Sequence, residues 1–321
     1  MKKIFLLIMC VVTALFAASC EKLPDYKYTL MAPDGAPAVA LAEIFKEGKV
    51  GGVKIDAQIV SGADEITASV ANGTADMAIM PVNLAARTYN GGVNVKFVSV
   101  NVSGCLYMVG KTAITSVSDL VGKVVYNIGR GGTPDITLKY ILRGNNIEFE
   151  ESETAVEGKV ALKYVAAASE LVPLLKTGKA EYGIMGEPAV TNCNEKAGTQ
   201  TVLDIQAEWK KLTGEDYTQA GLVVAGKVAD DENFMQALIE VLENSETWCK
   251  DNAAVLKEIL QSNGSSLAVD FTAELVGRSN VGYVSAKNAK ANVEKYLEVL
   301  KDFNGKLIGG ELPDDGFYYG L

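Results

Sequence analysis

Two stretches of the sequence share one pattern: NGTADMAIM at 72–80 and TGKAEYGIM at 177–185. In each stretch a polar residue and a glycine precede a short polar segment, which leads into an apolar run ending in Ile-Met. Glycine is common just past the last turn of a helix, because it adopts the left-handed conformation without a steric penalty. Each stretch therefore predicts the end of a helix followed by a buried strand, as in a parallel α/β sheet.

The repetition extends upstream of both stretches. Gly35–Leu41 matches Gly132–Leu138, and in both a glycine turn is followed by a proline near the first helical position. Proline is tolerated there because the N–H that it lacks would have no partner within the helix. Two matches in the same order predict two duplicated α/β lobes.

Between these landmarks, short apolar runs alternate with amphipathic stretches, which is typical of βαβ units. In the first lobe the predicted strands are Tyr28–Ala32, Val53–Val60, Met77–Met80 and Lys96–Asn101, and the helices are Pro37–Lys46, Ala63–Ala71 and Val82–Tyr89. The last third has one predicted strand, Ala220–Lys227, and helices at Asp231–Lys250, Ala253–Ser262, Thr272–Gly277 and Ala286–Phe303. This last third has too few strands for a third α/β domain, so we expect it to cover the first lobe.

Two apolar strands bracket the second lobe, Leu106–Gly110 and Leu222–Gly226, and both run into a lysine. We interpret them as the pair of crossovers between the lobes. The predicted lobes are therefore 26–108 plus 220–321 for lobe one, and 109–219 for lobe two.

The composition restricts the function. The chain has 321 residues, of which 48% are hydrophobic and 22% are charged, a mixture typical of globular proteins. Its net charge of −10 argues against nucleic acid as a partner, because phosphate binding needs clustered Lys and Arg. There is no histidine, which excludes Ser-His-Asp and Cys-His catalysis and every His-ligated metal site.

The N-terminus reads as a secretory signal. Basic Met1–Lys3 precedes the apolar run Ile4–Phe16, which is too short to span a bilayer, and small residues Ala17–Ser19 then precede Cys20. We predict a signal peptide over 1–19 and a polar tether over 20–25. Cleavage by an ordinary signal peptidase is one interpretation. The other is a bacterial lipoprotein with lipid on Cys20, although Ala stands at 17 where such sites usually have Leu.

Three cysteines remain beyond Cys20: Cys105, Cys193 and Cys249. An odd number without close spacing forms neither a disulfide framework nor a zinc pattern. We expect all three to be buried as small apolar side chains.

Three motifs occur beside predicted strands in the order Asn72–Asp76, Ser118–Lys123 and Gly186–Pro188. The chain also has two predicted lobes, two crossovers and the lipidation motif Ala17–Cys20, called a lipobox. In these features it resembles the extracytoplasmic substrate-binding proteins of ABC importers. The motifs are most similar to those of the nitrate/sulfonate/taurine and thiamine-precursor group. The resemblance implies an α/β, two-lobed type II periplasmic binding fold, in which each lobe is a mixed, mostly parallel sheet flanked by helices.

The same resemblance implies a binding protein without catalytic activity or cofactor. It would be a monomer anchored by lipid on the outer face of a bacterial cell membrane, holding a small solute between its lobes for a permease and an ATPase. A lipoprotein sensor or adhesin on this fold is an open alternative. An enzyme related to the pyrimidine synthases of the superfamily is excluded, because those consume an active-site histidine.

The ligand site is expected in loops that follow the strands, where helix N-termini and glycines allow an anion to approach unpaired N–H groups. The predicted ligand-binding residues are Asp34, Gly35, Ala36, Ser61, Val82, Asn83, Arg130, Gly131, Gly132, Thr133 and Glu187. If the Glu187 carboxylate meets the ligand, a zwitterion or an amino-substituted heterocycle fits better than nitrate or bicarbonate. If Glu187 is paired with the protein at a hinge, that preference is lost. The acidic run Glu148–Glu153 is interpreted as a solvated connection, not as a metal site.

Overall fold

The computed structural model describes residues 27–166 and 168–321. The predicted signal peptide, Cys20 and the tether lie outside the described residues. The described strands form two mixed sheets. The first sheet has the order β13-β5-β12-β4-β1-β3-β2 and the second has the order β11-β6-β10-β7-β9-β8. The strands are β1 Lys27–Pro33, β2 Lys49–Val50, β3 Val53–Val60, β4 Met77–Pro81, β5 Val95–Ser103, β6 Leu106–Gly110, β7 Val124–Ile128, β8 Phe149–Glu151, β9 Val160–Val165, β10 Tyr182–Gly186, β11 Gln200–Asp204, β12 Thr218–Ala225 and β13 Val281–Ser285.

Helices flank both sheets. They are α1 Ala36–Ala40, α2 Ala42–Glu47, α3 Ala63–Ala71, α4 Val82–Asn90, α5 Thr133–Gly144, α6 Ala168–Thr177, α7 Ala189–Ala197, α8 Ile205–Thr213, α9 Gly226–Ala229, α10 Glu232–Glu243, α11 Ser245–Asp251, α12 Ala253–Ser262, α13 Ala273–Arg278 and α14 Ala286–Phe303. Across 27–166 and 168–321, none of these helices combines the length and the apolar character that crossing a membrane requires.

The two sheets repeat one strand order. In the first sheet β12-β4-β1-β3-β2 corresponds to β6-β10-β7-β9-β8 in the second, and β12 and β6 each run antiparallel to the strand beside them. The repeated sequence patterns end in β4 and β10, which occupy equivalent places. The predicted fold class, two mixed sheets flanked by helices, is confirmed. The second sheet is mostly parallel, as expected, because β10, β7, β9 and β8 pair in parallel. For the first sheet the expectation of mostly parallel strands is wrong: β1 pairs in parallel with β3 and β4, whereas β2, β12, β5 and β13 are joined by antiparallel pairs.

The chain passes from the first sheet to the second between β5 and β6, and returns between β11 and β12. The first passage is at Gly104 and Cys105, because all of β6 pairs within the second sheet. The proposed lobe boundaries of 26–108 plus 220–321 and 109–219 stay a prediction.

One hydrophobic cluster is shared by both sheets. It includes Phe97 from β5, Met108 from β6 and the rings of Trp209, Tyr217 and Tyr296. Their ring centroids are 5.5 Å apart for Trp209 and Tyr217, and 5.7 Å apart for Tyr217 and Tyr296. Tyr296 belongs to α14, and its ring contacts Trp209 of α8, a helix that follows strand β11 of the second sheet. The long helix α14 therefore packs against elements of both sheets.

Two predicted helices are in fact interrupted. The helix predicted at Pro37–Lys46 is two helices separated at Leu41. Almost all of α1 is buried, so it has no exposed polar face. An amphipathic period therefore could not predict where this helix ends. The helix predicted at Asp231–Lys250 breaks at Asn244, whose side chain donates to the Glu240 carbonyl at 2.9 Å and so competes with the helix.

Other differences concern strands. The predicted strand Ala220–Lys227 ends at Ala225 in the structure. The N–H of the next residue, Gly226, donates to the Asn94 carbonyl at 2.9 Å, and the short helix α9 begins there. Strands β2, β8, β9, β11 and β13 were not predicted. All of them except β9 are edge strands. Strand β8 carries Glu150 and Glu151, so part of the expected acidic connection is an edge strand.

The predicted burial of the cysteines is confirmed. Cys105, Cys193 and Cys249 are free and buried. Burial raises the pKa of the Cys105 and Cys249 thiols to about 12, so neither is a reactive thiolate at neutral pH.

Candidate functional site

Three of the predicted loops share one edge of the first sheet. Strands β1, β3 and β4 are parallel neighbours, with Pro33 level with Val60 and Leu30 level with Met77. The segments that follow them therefore begin side by side. Asp34 and Gly35 lead from β1 into α1 at Ala36, Ser61 follows β3, and Val82 and Asn83 open α4 directly after β4. This is the edge at which open α/β sheets bind ligands.

Asp34 already has protein partners at this edge. Its carboxylate accepts hydrogen bonds from the hydroxyls of Ser265 and Ser266, at 2.6 and 2.7 Å, and from the Ser266 N–H at 2.8 Å. Gly35, with a φ of 120°, leads into α1, which is only five residues long. The expectation that this glycine turn opens a full helix is wrong. Ser61 is exposed.

Asn83 lies in the first turn of α4 and is 5% exposed. Its Nδ2 donates to the Leu307 carbonyl at 3.4 Å, and its Oδ1 has no hydrogen-bond partner among the described residues. The neighbouring Val82 is completely buried. Asn83 is therefore a buried polar group with an unused acceptor at the N-terminus of a nine-residue helix.

The remaining predicted residues meet at one edge of the second sheet. Tyr182 is level with Val125 in the parallel pair β10 and β7, so the loop after β7 and Glu187 after β10 are neighbours. That loop is Gly129–Gly132, followed by Thr133 at the start of α5. No hydrogen bond or ion pair between described residues joins this group to the predicted residues on the first sheet.

Asp135 organises the glycine loop, and the sequence analysis did not identify it. Its fully buried carboxylate accepts from the Gly131 N–H, the Lys139 Nζ and the Tyr164 hydroxyl, each at 2.8 Å. Asp135 lies in the first turn of α5, where the helix dipole stabilises a negative charge. That position is the sequence signal that could have identified it. The neighbouring Arg130 is exposed, pairs with Glu151 of β8, and lies 5.7 Å from the Tyr164 ring centroid.

Thr133 lies beside a residue of α14. Its hydroxyl and that of Thr137 lie near the Tyr296 hydroxyl, and all three side chains are buried. Burial raises the pKa of Tyr296 to about 12, and the two threonines partly oppose this increase. None of the three hydroxyls reaches hydrogen-bond geometry with a partner among the described residues.

Glu187 is buried, with 2% of its surface exposed. Its carboxylate accepts from the Thr191 N–H at 3.0 Å, from the Thr191 hydroxyl at 3.0 Å, and from Nη2 of Arg278. Burial raises the pKa of Glu187 above its ordinary value, while the bonds from Thr191 and Arg278 act in the opposite direction. Its backbone N–H donates to the Cys105 carbonyl at 3.0 Å, beside the passage between the sheets.

Arg278 is the second residue that sequence reasoning missed. It ends α13, and through Glu187 it joins the segment after β12 to the second sheet. Tyr107 of β6 holds it from the other side: the Tyr107 hydroxyl donates to the Arg278 carbonyl at 3.1 Å, and its ring centroid is 5.5 Å from the guanidinium carbon. No local pattern could reveal a pair 91 positions apart.

The described residues contain no group of three or more Cys, Asp or Glu side chains able to hold a metal ion. The motif at Ser118–Lys123 has a local role, because the Asp119 carboxylate and Ser116 form a capping box around the turn at Val117–Leu120. The chemical groups at the sheet edges are thus backbone N–H groups, hydroxyls, an amide and a paired arginine, which suit binding of a polar solute.

Known proteins resemble this chain in part of its sequence and in its fold. Residues 51–166 match the family described as NMT1/THI5 like. No curated protein matches the chain. Among solved structures, an ABC transporter protein from Parabacteroides distasonis is 23% identical, with 92% of this chain and 99% of that chain covered and a TM-score of 0.77.

Two further solved structures have the same fold at lower identity. The periplasmic aliphatic sulphonate binding protein SsuA from Escherichia coli is 12% identical, covering 92% of both chains with a TM-score of 0.66. The periplasmic nitrate-binding protein NrtA from Synechocystis is 15% identical, covering 87% of this chain and 81% of that one with a TM-score of 0.61. Residues 51–166 therefore match the NMT1/THI5-like family, and the chain as a whole has the periplasmic binding protein fold.

Proposed function

We propose that the protein is the solute-binding component of an ABC importer and holds a small organic molecule between its two sheets. The observation that carries the proposal is the duplicated strand order, because each sheet presents a row of loops at the carboxyl ends of its parallel strands. The structure is similar to SsuA, an aliphatic sulphonate binding protein, and to NrtA, a nitrate-binding protein. This similarity supports a small solute as the ligand class. Binding, not catalysis, is the proposed activity.

The proposed ligand groups are the loops at Ser61, Val82–Asn83 and Gly131–Thr133, with Asp34–Ala36 and Glu187 shaping the site through their protein contacts. Helices α4 and α5 begin at two of these positions, and no described side chain caps either N-terminus, so we propose that N–H groups of their first turns meet the ligand. In α5 the second residue, Pro134, has no N–H to contribute. Because three protein donors surround Glu187, a ligand amine is not required to neutralise it.

A thermal-shift panel tests the proposed function. It contains taurine, nitrate, bicarbonate, amino acids, pyrimidines and flavin mononucleotide. A solute at a hundredfold excess over its Kd stabilises the folded protein by about 2.7 kcal/mol, a melting shift on the order of 5 °C for a chain of this size. A 1:1 complex in native mass spectrometry, after incubation with the small-molecule fraction of a bacterial lysate, provides an independent test.

The position of the site is tested by Gly132→Val. A Cβ at Gly132 would lie 3.0 Å from the Gly129 carbonyl oxygen, so the glycine loop must shift. The matched control is Gly282→Val on β13, where a Cβ meets nothing closer than 3.9 Å. We expect the first variant to lose the ligand-induced shift and the second to keep it. Equal shifts in both variants would place the site elsewhere.

We also propose that the protein is a lipoprotein attached to the outer face of a bacterial membrane through Cys20, where it would work with a permease and an ATPase. Replacement of Cys20 by Ala should abolish metabolic labelling with a clickable fatty acid and release the protein from the membrane fraction. Labelling that persists in the Cys20→Ala variant would contradict this proposal.

A further inference from the structure

The Arg278 guanidinium is held on one edge and one face while another edge stays open. Nη2 is bound to Glu187, and the guanidinium carbon is 5.5 Å from the Tyr107 ring centroid. Among the described residues, the guanidinium has no second hydrogen-bond acceptor, although it carries five N–H donors. Its side chain is 37% exposed, whereas that of Glu187 is completely buried.

Arg278 also stands where a solute between the sheets would meet it. It comes from α13, in the segment that follows β12 of the first sheet, and it reaches a carboxylate at the carboxyl end of β10 in the second sheet. Both passages of the chain are close by: Glu187 bonds to the Cys105 carbonyl, and the Cys105 N–H donates to the Gln219 side chain at 3.1 Å. The guanidinium is therefore at the junction of the two sheets.

We propose that Arg278 is the residue that determines the charge of the solute, and that it recognises an oxyanion group, a carboxylate or a sulfonate, with its open edge. This inference rests on the proposed function. The fixed plane of the guanidinium favours two parallel N–H···O bonds, a geometry that a lysine ammonium cannot reproduce. Glu187 acts as a positioning residue, because its buried carboxylate, held by Thr191, orients Arg278 and does not itself reach the solute.

The experiment uses isothermal titration calorimetry with two kinds of probe. One is the molecule retained 1:1 in native mass spectrometry, and the others are butanesulfonate and butanoate, with 1-butanol and butylamine as neutral and cationic analogues. We expect the retained molecule to carry an oxyanion, and the two anionic probes to bind more tightly than their analogues. Loss of bonds to a charged group predicts that Arg278→Gln raises Kd about tenfold or more, and Arg278→Lys by an intermediate factor.

Two further single variants complete the comparison, and the first of them is the control. Arg143→Gln removes an exposed arginine that stacks on Phe303 at 4.1 Å, and it should leave Kd unchanged. Glu187→Gln retains the guanidinium but removes the charge that orients it, so its Kd should lie between those of the original protein and Arg278→Gln. If Arg278→Gln does not fold because Glu187 is left without its counter-ion, the double variant Glu187→Gln/Arg278→Gln has a neutral pair and provides the same comparison.

The outcomes separate the two proposals. A retained solute that is neutral or cationic, or an affinity that survives Arg278→Gln and the double variant, overturns the role of Arg278 and leaves the proposed function intact. Loss of binding in Arg130→Gln instead of Arg278→Gln would also overturn it. If no solute is retained and no probe or panel member binds the original protein, the proposed function fails and this inference fails with it.

Discussion

The buried polar residues near the strand ends fall into two groups. Asp135 and Glu187 are buried carboxylates, and each accepts three hydrogen bonds from protein donors. Tyr296, Thr133 and Thr137 are buried hydroxyls whose hydrogen-bonding capacity is not used among the described residues. Because the free energy of a hydrogen bond depends on whether a buried partner would be left unsatisfied, the two groups should respond differently to mutation.

Two tyrosine-to-phenylalanine variants test this difference. Tyr164→Phe removes a donor to the buried Asp135 carboxylate, and a lost bond to a charged group lowers the free energy of unfolding by about 1.5–3 kcal/mol. Tyr296→Phe removes a hydroxyl that no described residue meets in hydrogen-bond geometry, so its free energy of unfolding should stay within about 0.5 kcal/mol of the original or rise. Urea denaturation measures both. An equal loss in both variants would show that the Tyr296 hydroxyl is bonded in solution.

Glu187 predicts a specific pH dependence of stability. Because burial raises its pKa in the folded protein above the ordinary 4.5, the folded state binds more protons than the unfolded state between those two pKa values. The contribution of Glu187 to the free energy of unfolding therefore increases as the pH falls through the raised pKa, and becomes constant below about 4.5. We expect the difference in free energy of unfolding between the original protein and Glu187→Gln to follow this curve. A difference that is flat, or that falls with decreasing pH, would contradict the direction of the pKa shift.

At the scale of elements, the C-terminal segment 304–321 packs as part of the fold although it has little regular structure. The Asn90 side chain of α4 donates to the carbonyls of Ile308 and Glu311, at 2.8 and 2.7 Å. The N–H of Tyr319 donates to the Phe97 carbonyl of β5 at 2.9 Å. Between these contacts, Phe317 packs against Phe97 with ring centroids 5.3 Å apart. The segment therefore covers part of β5 that β13 leaves open.

Phe317→Ala measures how much this segment contributes to stability. Phe317 is completely buried, and replacing a buried phenylalanine by alanine costs about 3–5 kcal/mol. The control is Leu321→Ala, because Leu321 is 54% exposed and should change the free energy of unfolding by less than about 0.5 kcal/mol. Urea denaturation that gives similar values for the two variants would mean that the segment is not docked in solution.

At the scale of the whole molecule, the two sheets share one hydrophobic cluster. The ring of Trp209, on α8, lies between Tyr140 of α5 and Tyr296 of α14, at 4.7 and 5.5 Å. The Lys295 Nζ of α14 also donates to the Thr213 carbonyl at the end of α8, at 2.7 Å. These contacts join the second sheet's helices to the last long helix, so we expect both sheets to unfold together.

The two tryptophans allow this cooperativity to be measured. Trp248→Phe leaves Trp209 as the reporter near the shared cluster, and Trp209→Phe leaves Trp248, which packs beside the first sheet on α11. In each variant the fluorescence midpoint in urea should coincide with the midpoint from far-UV circular dichroism, as two-state unfolding requires. Separate midpoints for the two reporters, each different from the circular dichroism midpoint, would show that the sheets unfold independently.

Local sequence patterns were enough to predict most strands and helices of the first sheet, the repeat and the bounds of α14. Hydrophobic period and capping residues act within one element, so a local pattern can indicate that element. The same patterns predicted that the glycine loop and Glu187 directly follow strands, as they do. The folded chain was needed to show that Glu187 is bound by Arg278, that Thr133 lies beside Tyr296, and that β13 adds to the first sheet. Those contacts join residues far apart in the chain, because the strand order, and not any local pattern, brings their elements together.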